Sequence, residues 1–169
     1  MKTTALMFFV IIGFLFAGCV QEGPMGPEGV PGRDGNANVY YSNWYEPTGW
    51  SGKTGDWYFG VNDSRITEDI VEYGAILAYM SIPNDIYPNA VRPMPAFAND
   101  ANWEYIIPDY GKIEFMTDAD YVPGTKGYLF RFVLIPSNIQ LKAQGIKTTV
   151  EALAKMPYEE VCNTLRIPE

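Results

Sequence analysis

The chain has 169 residues and a formal net charge of −8, from 12 basic and 20 acidic side chains with no histidine. That acidic balance repels nucleic acid and argues against it as a partner. The missing histidine removes Ser-His and Cys-His nucleophiles and imidazole metal sites. With a leader and a spacer set aside, roughly 130 residues remain, enough for one buried core without cross-links.

Met1-Lys2 supplies a positive start, and Ala5 to Phe16 is an uncharged apolar run. It falls short of the ~18–20 residues that a spanning helix needs, so a cleaved signal over residues 1–18 is expected. The junction Leu15-Phe16-Ala17-Gly18-Cys19 resembles the lipobox of bacterial lipoproteins. The resemblance implies cleavage before Cys19, diacylglycerol on its sulfur and acylation of the new amine. Two or more acyl chains anchor stably where one does not. Val20 rather than Asp follows the cysteine, which by the same resemblance implies delivery to the outer membrane, on its periplasmic or surface face. The lipid on Cys19 is the only attached group expected, with no cofactor and no metal. If Cys19 carries lipid, Cys162 is a lone thiol, read as a small apolar residue on a helix.

Residues 19–35 join this anchor to a spacer. Gly23, Gly26, Gly29, Gly32 and Gly35 keep a strict period of three, with Pro24, Pro27 and Pro31 between them. Only glycine fits at the axis of three wound chains, which is why this period marks collagen. So short a run offers little burial against the backbone entropy it must surrender. A stiff polyproline-like strut in a monomer is therefore expected rather than a trimeric stalk, which would require the following domain to trimerise as well.

Residues 36–169 read as one domain. Val39 to Tyr45 and Asp56 to Asn62 have strand character, the second with Trp57, Phe59 and Val61 on one face. Thr67 to Gly74 reads as one or two helical turns, capped by Thr67 and ended by Gly74 in a left-handed conformation. Ala75 to Ile82 is apolar on both faces, as a central strand covered on each side would be. Pro83 to Pro95 should be irregular, with a short edge strand at Ala90 to Arg92. Asn102 to Ile107 and Gly111 to Thr117 form a hairpin around Pro108-Asp109-Tyr110. Gly127 to Ile135 is the strongest strand, with Tyr128, Phe130, Phe132 and Leu134 on one face. Thr148 and Glu151 have capping-box spacing for a short helix through Lys155. Pro157 opens a second helix that aligns Tyr158, Val161, Cys162 and Leu165. Together these elements predict a mainly β fold, an antiparallel β-sandwich with a short C-terminal helical tail packed on it or across one end.

Few residues point to chemistry. Gly52-Lys53-Thr54 ends like a phosphate-binding loop, but Pro47 stands where the motif needs glycine, so a polar hairpin turn is expected. Cys162 lies beside Glu159 and Glu160, which would raise its pKa. Asp118 and Asp120, and Asp100 between Asn99 and Asn102, are oxygen-rich turns without the spacing of a calcium loop. Carboxylate pairs of glycosidases are defined by separation in space, so a carboxylate-dependent hydrolase remains a remote alternative. Sugars stack on exposed aromatic rings. Trp50 lies in a Gly/Ser/Thr turn with little to pack against, and with Tyr45 and Tyr58 it is the candidate ligand contact.

The combination of lipobox, glycine triplets, NANVYYSNW, ITEDIVEYGAILAYM, YLFRFVLIP and MPYEEVCNTLRIPE resembles collagen-like surface lipoproteins of Bacteroidetes-type bacteria. The similarity covers nearly the whole chain. It implies an envelope location and this architecture, and it brings no catalytic residue. The expected role is a non-enzymatic interaction or structural module, held to a membrane through its lipid, with a protein or glycan partner. The alternative is a glycan-binding accessory module.

Overall fold

The computed structural model describes residues 39–137 and 145–169. The expected signal over 1–18, Cys19 and the spacer residues Gly23, Gly26, Gly29, Gly32 and Gly35 lie outside the described residues.

Phe130, Phe132 and Leu134 alternate with Arg131, Val133 and Ile135 along β9 (Leu129–Ile135), and all six are buried. Burial on both faces puts this strand inside a three-layer packing. The first set faces the space between two sheets, and the second faces the C-terminal helices. β9 pairs antiparallel with β4 (Ala75–Ser81), which is sorted the same way. Ile76, Ala78 and Met80 face the inter-sheet core, whereas Ala75, Leu77 and Tyr79 face the tail. β1 (Tyr40–Tyr41) and β5 (Arg92–Pro93) complete this sheet in the order β1-β9-β4-β5.

The second sheet runs β2-β3-β8-β7-β6, from β2 (Ser51–Lys53), β3 (Asp56–Asn62), β6 (Ala96–Ala98), β7 (Ala101–Asp109) and β8 (Lys112–Thr117). Phe59, Val61, Trp103, Ile113 and Phe115 point from it into the core, where they meet Phe130 and Phe132. The fold is mainly β, two antiparallel sheets packed as a sandwich. The edge strands of both sheets are only two or three residues long, which limits edge-to-edge pairing with other chains.

Three helices are described: α1 (Glu68–Tyr73), which carries the chain from β3 to β4, α2 (Val150–Leu153) and α3 (Tyr158–Leu165). Tyr158, Val161, Cys162 and Leu165 are buried against Tyr41, Tyr79, Val133 and Ile135, so the tail covers the outer face of the first sheet. The outer face of the second sheet, with Tyr58, Glu104 and Met116, carries no such layer among the described residues.

Several local expectations change. The first strand is regular only at Tyr40–Tyr41, because the Ser42 hydroxyl accepts the Phe132 N–H at 3.0 Å and the ladder resumes at a bridge between Tyr45 and Phe130. Thr67 precedes α1 without a side-chain capping bond. Gly74 is not left-handed, with φ −103° and ψ −147°. It is required for close approach, since a Cβ there would lie 2.2 Å from the Ile135 carbonyl oxygen. The edge strand after the proline-rich loop is Arg92–Pro93 rather than Ala90 to Arg92. β7 extends past Pro108, accommodated by a register shift between Ile106 and Asp109, and the turn falls at Tyr110-Gly111. The cap of α2 is Thr149, whose hydroxyl accepts the Ala152 N–H, one residue after the expected Thr148.

Candidate functional site

The three aromatics expected to contact a ligand do not converge. Trp50 is packed, contrary to the expectation of a free ring. Its indole lies edge-on to Phe59, Trp103 and Phe130 at 5.1, 5.9 and 6.0 Å between ring centres. Its Nε1 donates to the Gly124 carbonyl at 3.0 Å. A Gly/Ser/Thr surrounding in sequence gave no sign of this, because the partners come from β3, β7 and β9. Tyr45 is buried, stacked on Phe132 at 6.0 Å, and burial is the main reason that its phenol is pushed up to about 12. Tyr58 alone is on a solvent-facing surface, on the opposite side of β3 from Phe59.

The loops group at two ends of the sandwich. The chain joins at Tyr40, opposite Leu134, and runs toward Tyr45, opposite Phe130. The end near Tyr40, where the described chain begins, is here the proximal end, and the other is the distal end. At the distal end Asn99 links three loops. Its side-chain amide donates to the Pro83 carbonyl at 3.0 Å, and its own carbonyl accepts the Tyr121 hydroxyl at 3.3 Å. Asn99 and Asp100 both have positive φ, 50° and 58°, as the two central residues of a tight β6–β7 hairpin. The hairpin turn accounts for the Asn99-Asp100 pair. Asp118 is likewise engaged, accepting both the backbone N–H and the side-chain amide of Asn102, and these bonds hold its carboxyl below the usual range. Asp85 pairs with Arg92 through two hydrogen bonds of 2.5 and 2.7 Å and accepts the Tyr87 N–H, which fixes the Pro83–Pro95 loop. On these braced loops Ile86, Tyr87 and Val122 remain 80, 64 and 65% exposed, and Phe97 on the edge strand β6 is 62% exposed.

The proximal end holds a cleft of about 530 Å³ between α1, the turn before it and the end of β9. Its wall is fixed by the backbone: Asp63 N–H donates to the Gly111 carbonyl at 2.8 Å, and Gly111 N–H donates to the Ile66 carbonyl at 2.7 Å. The Asp63 carboxylate then accepts Arg65 through its backbone N–H, its Nε and its Nη2 at 3.0, 2.9 and 2.5 Å. This bonding holds the guanidinium above its ordinary range and places it 5.7 Å from the Tyr40 ring centre. Asp69 and Tyr73, one helical turn apart, share the cleft with Arg65. Sequence reading missed this group. Its available signals were the Asp63-Ser64-Arg65 turn and the i, i+4 spacing of Asp69 and Tyr73.

Cys162 is buried on α3, and burial, more than its acidic neighbours, pushes the thiol up. Among the described residues no three acidic or cysteine side chains gather in a way that could hold a metal ion. Comparison with protein-family models, with curated proteins and with solved structures gave no match.

Proposed function

We propose that this is a lipid-anchored cell-envelope protein that displays a non-enzymatic β-sandwich on a short collagen-like spacer as a surface interaction module. The anchor is Cys19, and outer-membrane location follows from its resemblance to a lipobox. The described chain begins at Val39, at the proximal end, so with the proposed spacer before it the distal loops would be those held away from the membrane. The observation that carries the reading is the exposure of Ile86, Tyr87 and Val122 on those loops and of Phe97 on the adjoining edge strand β6, while Asp85–Arg92 and Asn99 hold the backbone beneath them. Exposed apolar side chains on a braced frame suit partner contact, since little order is lost on binding. A photo-reactive residue at position 122 in intact cells should give one discrete adduct, and the same residue at 104, on the outer face of the second sheet, should not. Equal labelling from both positions, or none from 122, would count against the distal loops.

A further inference from the structure

The proximal cleft combines an exposed aromatic ring, a guanidinium braced on Asp63 and a carboxylate without a partner among the described residues. Tyr73 is 72% exposed and makes no hydrogen bond or ring contact among the described residues. Asp69 has no cationic or hydrogen-bonding partner there either. Thr67 makes no capping bond, so its hydroxyl is available, as is that of Ser64 beside it. Arg65 uses Nε and Nη2 on Asp63, which leaves Nη1 to donate elsewhere. The ion pair offsets the charge of Arg65 locally, and the chain as a whole is acidic. An anionic ligand therefore gains little from Arg65 and meets Asp69. A neutral, hydroxyl-rich ligand satisfies every group: a flat aromatic ring for C–H faces, a carboxylate that accepts two hydroxyls, and N–H and O–H donors around them.

We propose that the cleft lined by Tyr73, Asp69, Arg65, Thr67 and Ser64 binds a neutral oligosaccharide, with a pyranose face against Tyr73 and its hydroxyls on Asp69 and Arg65. The binding goes beyond the anchoring and distal-contact reading and stands or falls separately from it. The cleft is pre-formed, because the Asp63–Gly111–Ile66 bonding fixes Arg65 before any ligand arrives.

The test is saturation-transfer NMR on the full chain in a polyoxyethylene detergent, which carries no sugar headgroup. The probes are maltohexaose, cellohexaose, mannohexaose and chitohexaose, with oligogalacturonate as the anionic counterpart. At least one neutral probe should bind, and Tyr73→Ala and Asp69→Asn should each weaken it about tenfold, whereas Glu104→Gln should leave it unchanged. Both altered side chains are exposed and unpartnered, so the fold should survive, which a circular dichroism melt checks. No binding of any neutral probe at about 10 mM, binding insensitive to both substitutions, or preference for oligogalacturonate would overturn the proposal.

Discussion

Tyr158→Phe removes one oxygen from the contact that holds the C-terminal helices to the sandwich. Arg131 is 2% exposed on the outer face of β9, and no carboxylate pairs with it among the described residues. Its Nε donates to the Ser42 carbonyl at 2.9 Å, and its Nη1 donates to the Tyr158 hydroxyl. The rings of Tyr41, Trp44 and Tyr158 surround the guanidinium at 5.1, 5.8 and 5.7 Å. Burying a charge this far from water is costly unless its donors are met, and each such ring contact returns only about 0.5–2 kcal/mol. Phenylalanine keeps the ring and leaves a buried charged N–H without its acceptor. A hydrogen bond to a charged group contributes about 1.5–3 kcal/mol, so we expect a loss of about 2 kcal/mol. For a domain of roughly 130 residues that is about 8 °C in Tm. The assay is urea unfolding followed by tryptophan fluorescence, with Arg131→Met and the double substitution completing the cycle. In the Arg131→Met background Tyr158→Phe should cost less than about 0.5 kcal/mol, since the charge that needs the oxygen is gone. Equal costs in both backgrounds would refute the role assigned to this bond.

Gly74→Ala should destabilise by about 3 kcal/mol, because its Cβ would press on the Ile135 and Ile70 carbonyl oxygens, and thermal melts would show it. Trp50→Ala should cost about 3 kcal/mol in urea unfolding through lost packing on Phe59, Trp103 and Phe130. Trp57→Phe should fall within about 1 kcal/mol of wild type, since the Trp57 Nε1 is buried without an acceptor among the described residues and its removal relieves that cost. Tyr45 ionises near 10 when unfolded and near 12 when folded, and Tyr79 and Tyr158 are raised as well, in each case chiefly by burial. Between those values the unfolded chain holds fewer protons, so this contribution to stability is complete below pH 10 and is lost as pH rises toward 12. A urea midpoint that stayed constant through pH 11 would contradict that linkage.

The strands that form the centre of the sandwich were legible because their alternation is local. Ala75 to Ile82 advertises two buried faces, Gly127 to Ile135 advertises one through Tyr128, Phe130, Phe132 and Leu134, and the helical spacing of Tyr158, Val161, Cys162 and Leu165 advertises one. What escaped were elements defined by partners far away in the chain. β2 and β6 are short edge strands whose polar or small residues carry no pattern of their own. Trp50 has a solvent-like sequence context, yet its ring lies between strands and its N–H reaches Gly124. Gly74 was expected to end a helix by its own conformation, whereas it is needed for the closeness of β9. The proximal cleft was hidden for the same reason, since Tyr40 and Arg65 meet across separate segments. Arg131 went unread in the sequence, and its contacts with Ser42 and with Tyr158 of the tail explain its place in β9.

Mounting at Cys19 is the claim on which the envelope role of the sandwich depends. The direct measurement is the intact mass of the protein extracted from membranes, beside that of a Cys19→Ser variant. The account predicts a chain that begins at residue 19 and carries acyl groups, and a variant that yields no acylated form. A wild-type chain without lipid, or one that begins elsewhere, would contradict it.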